Sequence, residues 1–516
     1  MERRSLLQTF LAAATLAMPG VSRSSTATRA DLQALADQAG SSGALPGFQV
    51  AVVAGRRLMW SSTQGMADVS KGQAATDTTA YYIASTTKCF TSLAIAQRAA
   101  RGELDLNASL ARMLPHADWH PSLDADLITL RELLTHTHGL DADSVPAQMR
   151  VNFSGAYRDN AELLHWLAKA TPAAGGKAFA YSNLGYDLAA IAMAPAGRDG
   201  WKLQVHREVL DPLGMKRTSP WRSALAATAL AAPHADAPSG WLALPANKQD
   251  SNMGPAGGMF ATAGDLARLI QALLDAGRLD GRQVLSRQVL DPMLNRQASQ
   301  DRQVLGYQRH GYSLGFDLAR LHGQEVLTRM GSFRGASSHL SFMPARGLGV
   351  AFLTNGDAVA GMAGEGVVQS IYRCLLGDPA AARQALTEGL ERVLKIQARQ
   401  RAAPPPAPET AWPLPPEALV GSYRDEQLGE LDLVWTGQGL RARWGVLDSE
   451  LTLRFPEKLQ WRVDWSGQGV LVGFVVDARG RVTGLKMFGR ELQRQEPPSG
   501  DASDPAAAPA SAGTRG

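Results

Sequence analysis

The chain has 516 residues and a mass of 55.0 kDa, with 45% hydrophobic and 19% charged residues. That is the make-up of a globular protein too long for one ordinary core, so two domains plus tails are expected. Fifty-two basic residues oppose 48 acidic ones, for a formal charge of only +4. No stripe of Lys and Arg interleaved with aromatics appears, which excludes nucleic acid as a partner. Two cysteines, Cys89 and Cys374, make no disulfide framework, and the helix-like apolar pattern around each predicts buried free thiols.

The chain opens with MERRSLLQTFLAAATLAMPG: an arginine pair, an apolar run from Leu6 to Met18, then small residues. That shape predicts a signal peptide over 1–28, and Arg3-Arg4 before Ser5-Leu6-Leu7 resembles a twin-arginine signal. Export to the periplasm or medium is therefore expected, with no membrane contact beyond the signal. A first domain is assigned to 29–400. Within it, 30–39 reads as a short helix and 47–68 as two strands about a turn at Gly55-Arg56. From 85 to 102 the apolar spacing becomes helical and stops at Gly102. Residues 103–300 read mostly as helices and loops. Strands are predicted at 311–318, 324–330, 336–343 and 347–354, with helices at 360–376 and 380–400. Strands at both ends around a helical middle imply one α+β sheet assembled from distant segments.

RAAPPPAPETAWPLPPE (401–417) is a Pro-rich linker. Residues 418–495 carry about eight short alternating runs such as ELDLVW and LQWRVDW, the rhythm of a small all-β barrel. The tail 496–516 is predicted to be disordered.

YYIASTTKCF (81–90) holds the only Ser-x-x-Lys of the chain, Ser85 to Lys88. At a helix start, Lys88 lies one turn on from Ser85 on the same face, and the backbone N–H groups there point at the serine. A serine needs such a base to become a nucleophile, and a lysine must lose its proton to serve as one. A plain helix cap explains the tetrad equally well. In GGKAFAYSNLGYDLA, Tyr181 and Asn183 supply a phenol able to shuttle protons and an amide able to orient a lysine. By itself that segment also fits a loop with a buried tyrosine.

Together these segments resemble the class C β-lactamase-like serine hydrolases, within the serine β-lactamase and penicillin-binding superfamily. That group includes DD-carboxypeptidases, D-aminopeptidases and esterases. Six blocks in the expected order carry the resemblance: LPGFQVAVVAGRRLMWSSTQGMAD, ASTTKCFTSLAIAQRAARGELDLNASL, ITLRELLTHTHGL, FAYSNLGYDLA, GPAGGMFATAGDLARL and GLGVAFLTNGD. It implies an antiparallel sheet flanked by helices, with an all-helical subdomain. It also implies Ser85 as nucleophile, Lys88 as general base, Tyr181 as general base or proton shuttle, and Asn183 as a positioning group. The third element of the family falls on Arg329-Met330-Gly331. Gly331 would lie against the substrate, and the N–H groups of Ser85 and Ser332 would form the oxyanion hole. Arg329 replaces the usual Lys or His; it keeps the positive charge and can grip a carboxylate, but cannot shuttle a proton. The C-terminal barrel resembles the lipocalin-like domain of some relatives, which leaves it to screen the cleft, bind a peptide or form an oligomer interface.

Two other signals are set aside. Gly311-Tyr312-Ser313-Leu314-Gly315 matches G-x-S-x-G, but alternation through Tyr312, Leu314, Phe316 and Leu318 predicts an unbroken strand, where a nucleophile elbow needs a turn into a helix. His116, His120, His136 and His138 lack the spacing of a zinc site, and His136 reads as a structural hydrogen-bonding residue. No metal or cofactor is expected. The expected activity is acyl-enzyme hydrolysis of small peptides, amides or esters, with D-amino-acid peptides favoured. The alternatives are a carboxylesterase or transacylase using the same site, and a penicillin-binding receptor without turnover.

Overall fold

The computed structural model describes residues 27–495 except 195–196, 198, 403–412, 456–457 and 466–467. Nearly all of the expected signal, most of the linker and the whole tail lie outside the described residues. Helix α1 (Arg29–Ser41) starts at a reciprocal cap between Thr28 and Asp31. The chain then enters strands β1 (Gly47–Ala54), β2 (Arg57–Asp68) and β3 (Gln73–Ala74). A one-turn 3-10 helix, Ala84–Thr86, leads into α2 (Thr87–Ala100). After a run of short helices come α3 (Leu184–Met193) and α4 (Ala263–Leu274). Then follow β4 (Ala298–Val304), β5 (Tyr307–Tyr312), β6 (Asp317–Leu321), β7 (Gln324–Phe333), β8 (Ala336–Met343) and β9 (Leu348–Thr354). Helices α5 (Ala358–Leu375) and α6 (Pro379–Ala402) end this domain.

These strands form one antiparallel sheet in the order β4-β5-β6-β7-β8-β9-β1-β2-β3. Strands β1, β8 and β9 are buried along nearly their whole length, because helices cover both faces. Val50, Val52, Val350 and Phe352 face α1, α5 and α6, whereas Ala51, Val53, Ala351 and Leu353 face α2, α4 and the helical insertion. Beyond the linker, β10 (Gly421–Asp425), β11 (Gly429–Trp435), β12 (Leu440–Trp444), β13 (Leu447–Phe455), β14 (Gln460–Trp465), β15 (Gln468–Val476), β16 (Val482–Met487) and β17 (Arg490–Arg494) close into a barrel. Trp444, Trp461 and Trp465 fill its core. The barrel docks on the insertion, where Val446 N–H donates to Ser154 O at 2.9 Å and Arg150 donates to Glu426 O at 2.9 Å.

The fold class expected from the resemblance is the one observed, and both cysteines are buried and free. Two strand expectations need correction. The alternating run over 311–318 is not one strand: β5 stops at Tyr312 and β6 starts at Asp317. Gly315 adopts φ +95°, and a Cβ there would lie 2.8 Å from Cys89 Cα, so the chain bends at this point to let α2 approach. A strand still follows the bend, so the elbow motif has no helix to launch. Strand β4 was not foreseen, because the polar run ASQDRQV sits at the sheet edge and is half exposed.

Only five residues of β6 pair with β7, ending at Asp317 opposite Thr328. Residues 329–333 are therefore open on that side, and the loop carrying Ser85 fills the gap. Ser338 Oγ donates to Ile83 O at 2.6 Å and shares a 2.9 Å hydrogen bond with Thr86 Oγ1. Gly331 is what permits this approach: a Cβ would sit 2.1 Å from Ile83 O and 2.9 Å from Ser85 N. Gly331→Ala is expected to destabilise the protein by about 1–3 kcal/mol through overpacking, read as a lower Tm. An unchanged Tm would show that the loop can move away freely.

Candidate active site

Ser85 is presented by a backbone turn. Ala84 takes φ +44°, a left-handed conformation that costs a non-glycine residue about 1–2 kcal/mol. The turn swings the chain from the buried Tyr81–Tyr82 bridge strand into α2 and leaves Ser85 partly exposed at the helix start. Lys88, one turn further on, is fully buried. Its Nζ lies 3.4 Å from Ser85 Oγ and donates to Asn183 Oδ1 and Ala256 O, each at 2.7 Å. Burial depresses the Lys88 pKa; Tyr181 opposes that shift, and the nearby Arg329 charge reinforces it.

Tyr181 is held from behind by His136. The His136 carbonyl accepts from Ala180 N–H at 2.9 Å and its Nδ1 accepts from Ser182 N–H at 3.2 Å. With Nδ1 an acceptor, the ring proton sits on Nε2, 3.3 Å from Tyr312 Oη. Burial and the charges of Lys88 and Arg329 push the His136 pKa far down, so the ring is neutral. His138 is likewise occupied, its Nδ1 accepting from Leu140 N–H at 3.0 Å. Among the described residues no cluster of His, Cys, Asp or Glu is arranged to hold a metal.

Tyr181 is 41% exposed, while its hydroxyl turns inward to accept a hydrogen bond from Arg329 Nη2. Its hydroxyl also hydrogen-bonds with Lys88 and Ser85. Burial alone would raise the phenol pKa, but the positive charges of Arg329 and Lys88 and these hydrogen bonds bring it down to about 8.

Arg329 is 4% exposed. Each guanidinium nitrogen already has a partner: Nε donates to Ser85 O at 3.1 Å, Nη1 to Tyr312 Oη at 3.3 Å and Nη2 to Tyr181. Asp317 supplies its counter-charge, 3.5 Å from Nη1, and also pairs with Arg309 at 3.4 Å. Ser332, by contrast, is exposed on the open strand edge beside Ser85.

Sequence reasoning missed Tyr312, Asp317 and the Ala256 carbonyl. Ala256 lies in the GPAGG run, where Gly258 leaves no room for a Cβ, which would sit 2.4 Å from Gly254 N; that density of glycines was the available signal. Tyr312 and Asp317 carried none, since they reach Arg329 only through the sheet register.

A family profile described as Beta-lactamase matches residues 32–367. Protein flp of Staphylococcus aureus (strain MW2) is 29% identical over 177 residues, 34% of this chain and 35% of flp. Esterase EstB of Burkholderia gladioli is 32% identical over 218 residues, 40% of this chain and 55% of EstB. The chain thus spans about a third to a half of the length of these curated relatives. The D-amino acid amidase of Ochrobactrum anthropi SV3, complexed with L-phenylalanine, superposes with a TM-score of 0.55 at 19% identity, covering 73% of this chain and all of that one. That likeness is one of fold. With the match running from α1 into α5 and through all nine strands of the sheet, the chain belongs to the beta-lactamase family.

Proposed function

We propose that this protein is an exported serine hydrolase that forms an acyl-enzyme on Ser85 with esters and amides. The observation that carries this reading is the convergence of Ser85, Asn183 and Tyr181 on the buried Lys88, with the Tyr181 phenol brought down to about 8. Ser85 Oγ attacks the scissile carbonyl carbon, and its proton passes to the Lys88–Tyr181 pair, which titrates as a unit. The carbonyl oxygen, now an oxyanion, accepts from the N–H groups of Ser85 and Ser332. The same pair returns the proton to the departing alkoxide or amine. A water then attacks the acyl carbonyl carbon and gives a proton to the pair, which passes it to Ser85 Oγ as the acyl–oxygen bond breaks, freeing the acid and restoring Ser85.

In this reading Arg329 acts on Tyr181, to which its Nη2 donates, rather than on a substrate carboxylate, since the side chain is buried and turned toward Tyr181, Tyr312 and the Ser85 carbonyl. Esters and simple amides therefore suit the groove better than peptides whose leaving group ends in a free carboxylate. The esterase and amidase among the similar proteins accord with that choice. D-amino-acid amides and peptides are the first amide class to assay.

Mass spectrometry after treatment with a fluorophosphonate should find one adduct, on Ser85, and Ser85→Ala should lower ester turnover by about 10⁴-fold or more. An adduct that persists in Ser85→Ala overturns the assignment, and a stoichiometric burst without turnover supports a penicillin-binding receptor instead. For Arg329, kcat/KM should climb with pH through about 8 in the wild type. Removing the cation in Arg329→Gln should move that limb upward by about one pH unit or more, and Arg329→Lys should restore it. An unmoved limb would separate Arg329 from the titrating phenol. Export rests on the arginine pair and apolar run of residues 1–28. Replacing Arg3 and Arg4 by Lys should hold the protein in the cytoplasm if the twin-arginine reading is right, and unchanged fractionation would refute it.

A further inference from the structure

The sheet domain and the barrel together enclose a cavity of about 400 Å³, within the range of small-molecule sites. Its floor is apolar: Tyr82, Leu230, Phe260, Phe333 and Ala336 line it and pack in one cluster with Ala84. Arg441, Asp448, Ser449 and Glu450 of β12 and β13 form the facing wall. Residues next to the nucleophile along the chain border or pack against the cavity. Ala84 immediately precedes Ser85, Phe333 immediately follows Ser332, and the Phe333 and Tyr82 rings meet at 5.6 Å.

Lys248 lines this cavity and is only 8% exposed. Its Nζ donates to Asn152 O at 2.5 Å and lies 4.2 Å from the Phe333 ring centre and 5.5 Å from that of Tyr82. Among the described residues no carboxylate pairs with it. Asp68 pairs with Lys71, Asp448 pairs with Arg441 and Arg443, and Glu450 is exposed on the barrel rim. A buried ammonium without a counter-ion is unfavourable, and burial brings the Lys248 pKa down to about 7. An anion delivered into the cavity would supply what the protein does not.

The direction of the cavity follows from β7. Arg329 holds Tyr181 at one end of the open edge, and Phe333 opens into the cavity at the other. Four steps of strand separate them, about 13 Å. The leaving group must depart beside the Lys88–Tyr181 pair that protonates it, so the acyl portion runs the opposite way.

We propose that this cavity is the acyl subsite, and that it takes an acyl arm with an apolar body and a terminal carboxylate that pairs with Lys248. The proposal rests on the reading of Ser85 as nucleophile. It is tested with p-nitrophenyl monoesters of straight-chain dicarboxylic acids of four to ten carbons, each against its ω-methyl ester. At the best length the free carboxylate should raise kcat/KM by about tenfold or more. Lys248→Met should bring that ratio to about one through KM, and Lys248→Arg should keep most of it. A wild-type ratio near one at every length, or an equal ratio in Lys248→Met, overturns the subsite. Calorimetric titration of Ser85→Ala with suberate reads the same cavity without catalysis. Binding that is lost in the Ser85→Ala, Lys248→Met double variant supports the subsite even if Ser85 proves unreactive, and no binding overturns it. If p-nitrophenyl acetate is turned over but the carboxylate preference is absent, the subsite fails and the hydrolase reading stands.

Discussion

Two cations, Lys88 and Arg329, are packed against one phenol in a region of low dielectric, and the rest of the site is arranged around that concentration of positive charge. Lys88 is fully buried and satisfied by neutral acceptors, Asn183 Oδ1 and Ala256 O. The buried carboxyl of Asp187 gives Lys88 only minor relief. Both of its oxygens lack hydrogen-bond partners, and burial raises its pKa to about 8 despite Lys88, so it is protonated at neutral pH. Arg329 has Asp317 as a counter-charge, but Asp317 is shared with Arg309. The anion that best answers both cations is the Tyr181 phenolate, which is why a phenol buried at its hydroxyl titrates below its usual range.

The same electrostatics explains what surrounds the pair. His136 touches Tyr181, Tyr186 and Tyr312 and would add a third charge if protonated. Its Nδ1 instead accepts from the backbone of the very segment that carries Tyr181, so one neutral ring fixes the phenol in place without competing for it. The sheet contributes by omission. Ending β6 pairing at Thr328 leaves an edge on which the Ser85 loop and Arg329 can meet, a contact no fully paired strand could make.

How much of this was legible in the sequence follows the range of each contact. Ser85 and Lys88 are joined by helical spacing, and Tyr181 and Asn183 by a two-residue offset before a helix. Each pair alone also fits a plain cap or loop, and the order of the six blocks is what singled them out. Gly331 was readable through the same resemblance, although the backbone that lies against it in the structure is that of Ile83–Ser85. The partners of Arg329 were not, since Tyr312 and Asp317 reach it across two strands whose register no local pattern encodes. The alternation at 311–318 misled for a related reason: apolar residues on both sides of a bend can keep a period of two while the backbone breaks at Gly315. Lys248 carried no motif at all. Its burial arises from the insertion folding over Phe333, and its cavity is completed by a barrel whose rhythm was plain but whose docking site was not.

The two ends of the open β7 edge divide the labour physically. At the Arg329 end the protein supplies its own ions and hydrogen bonds, to Tyr181, Tyr312, Asp317 and the Ser85 carbonyl. At the Phe333 end the protein supplies an apolar floor and one buried ammonium without a carboxylate, so that end is incomplete until something enters. Under the proposed reading, chemistry and recognition then answer to different side chains, and a change at Lys248 or on the barrel wall alters which acyl group is held without disturbing the titration of Tyr181. A change at Arg329 cannot be so confined, because its guanidinium also holds the carbonyl of Ser85.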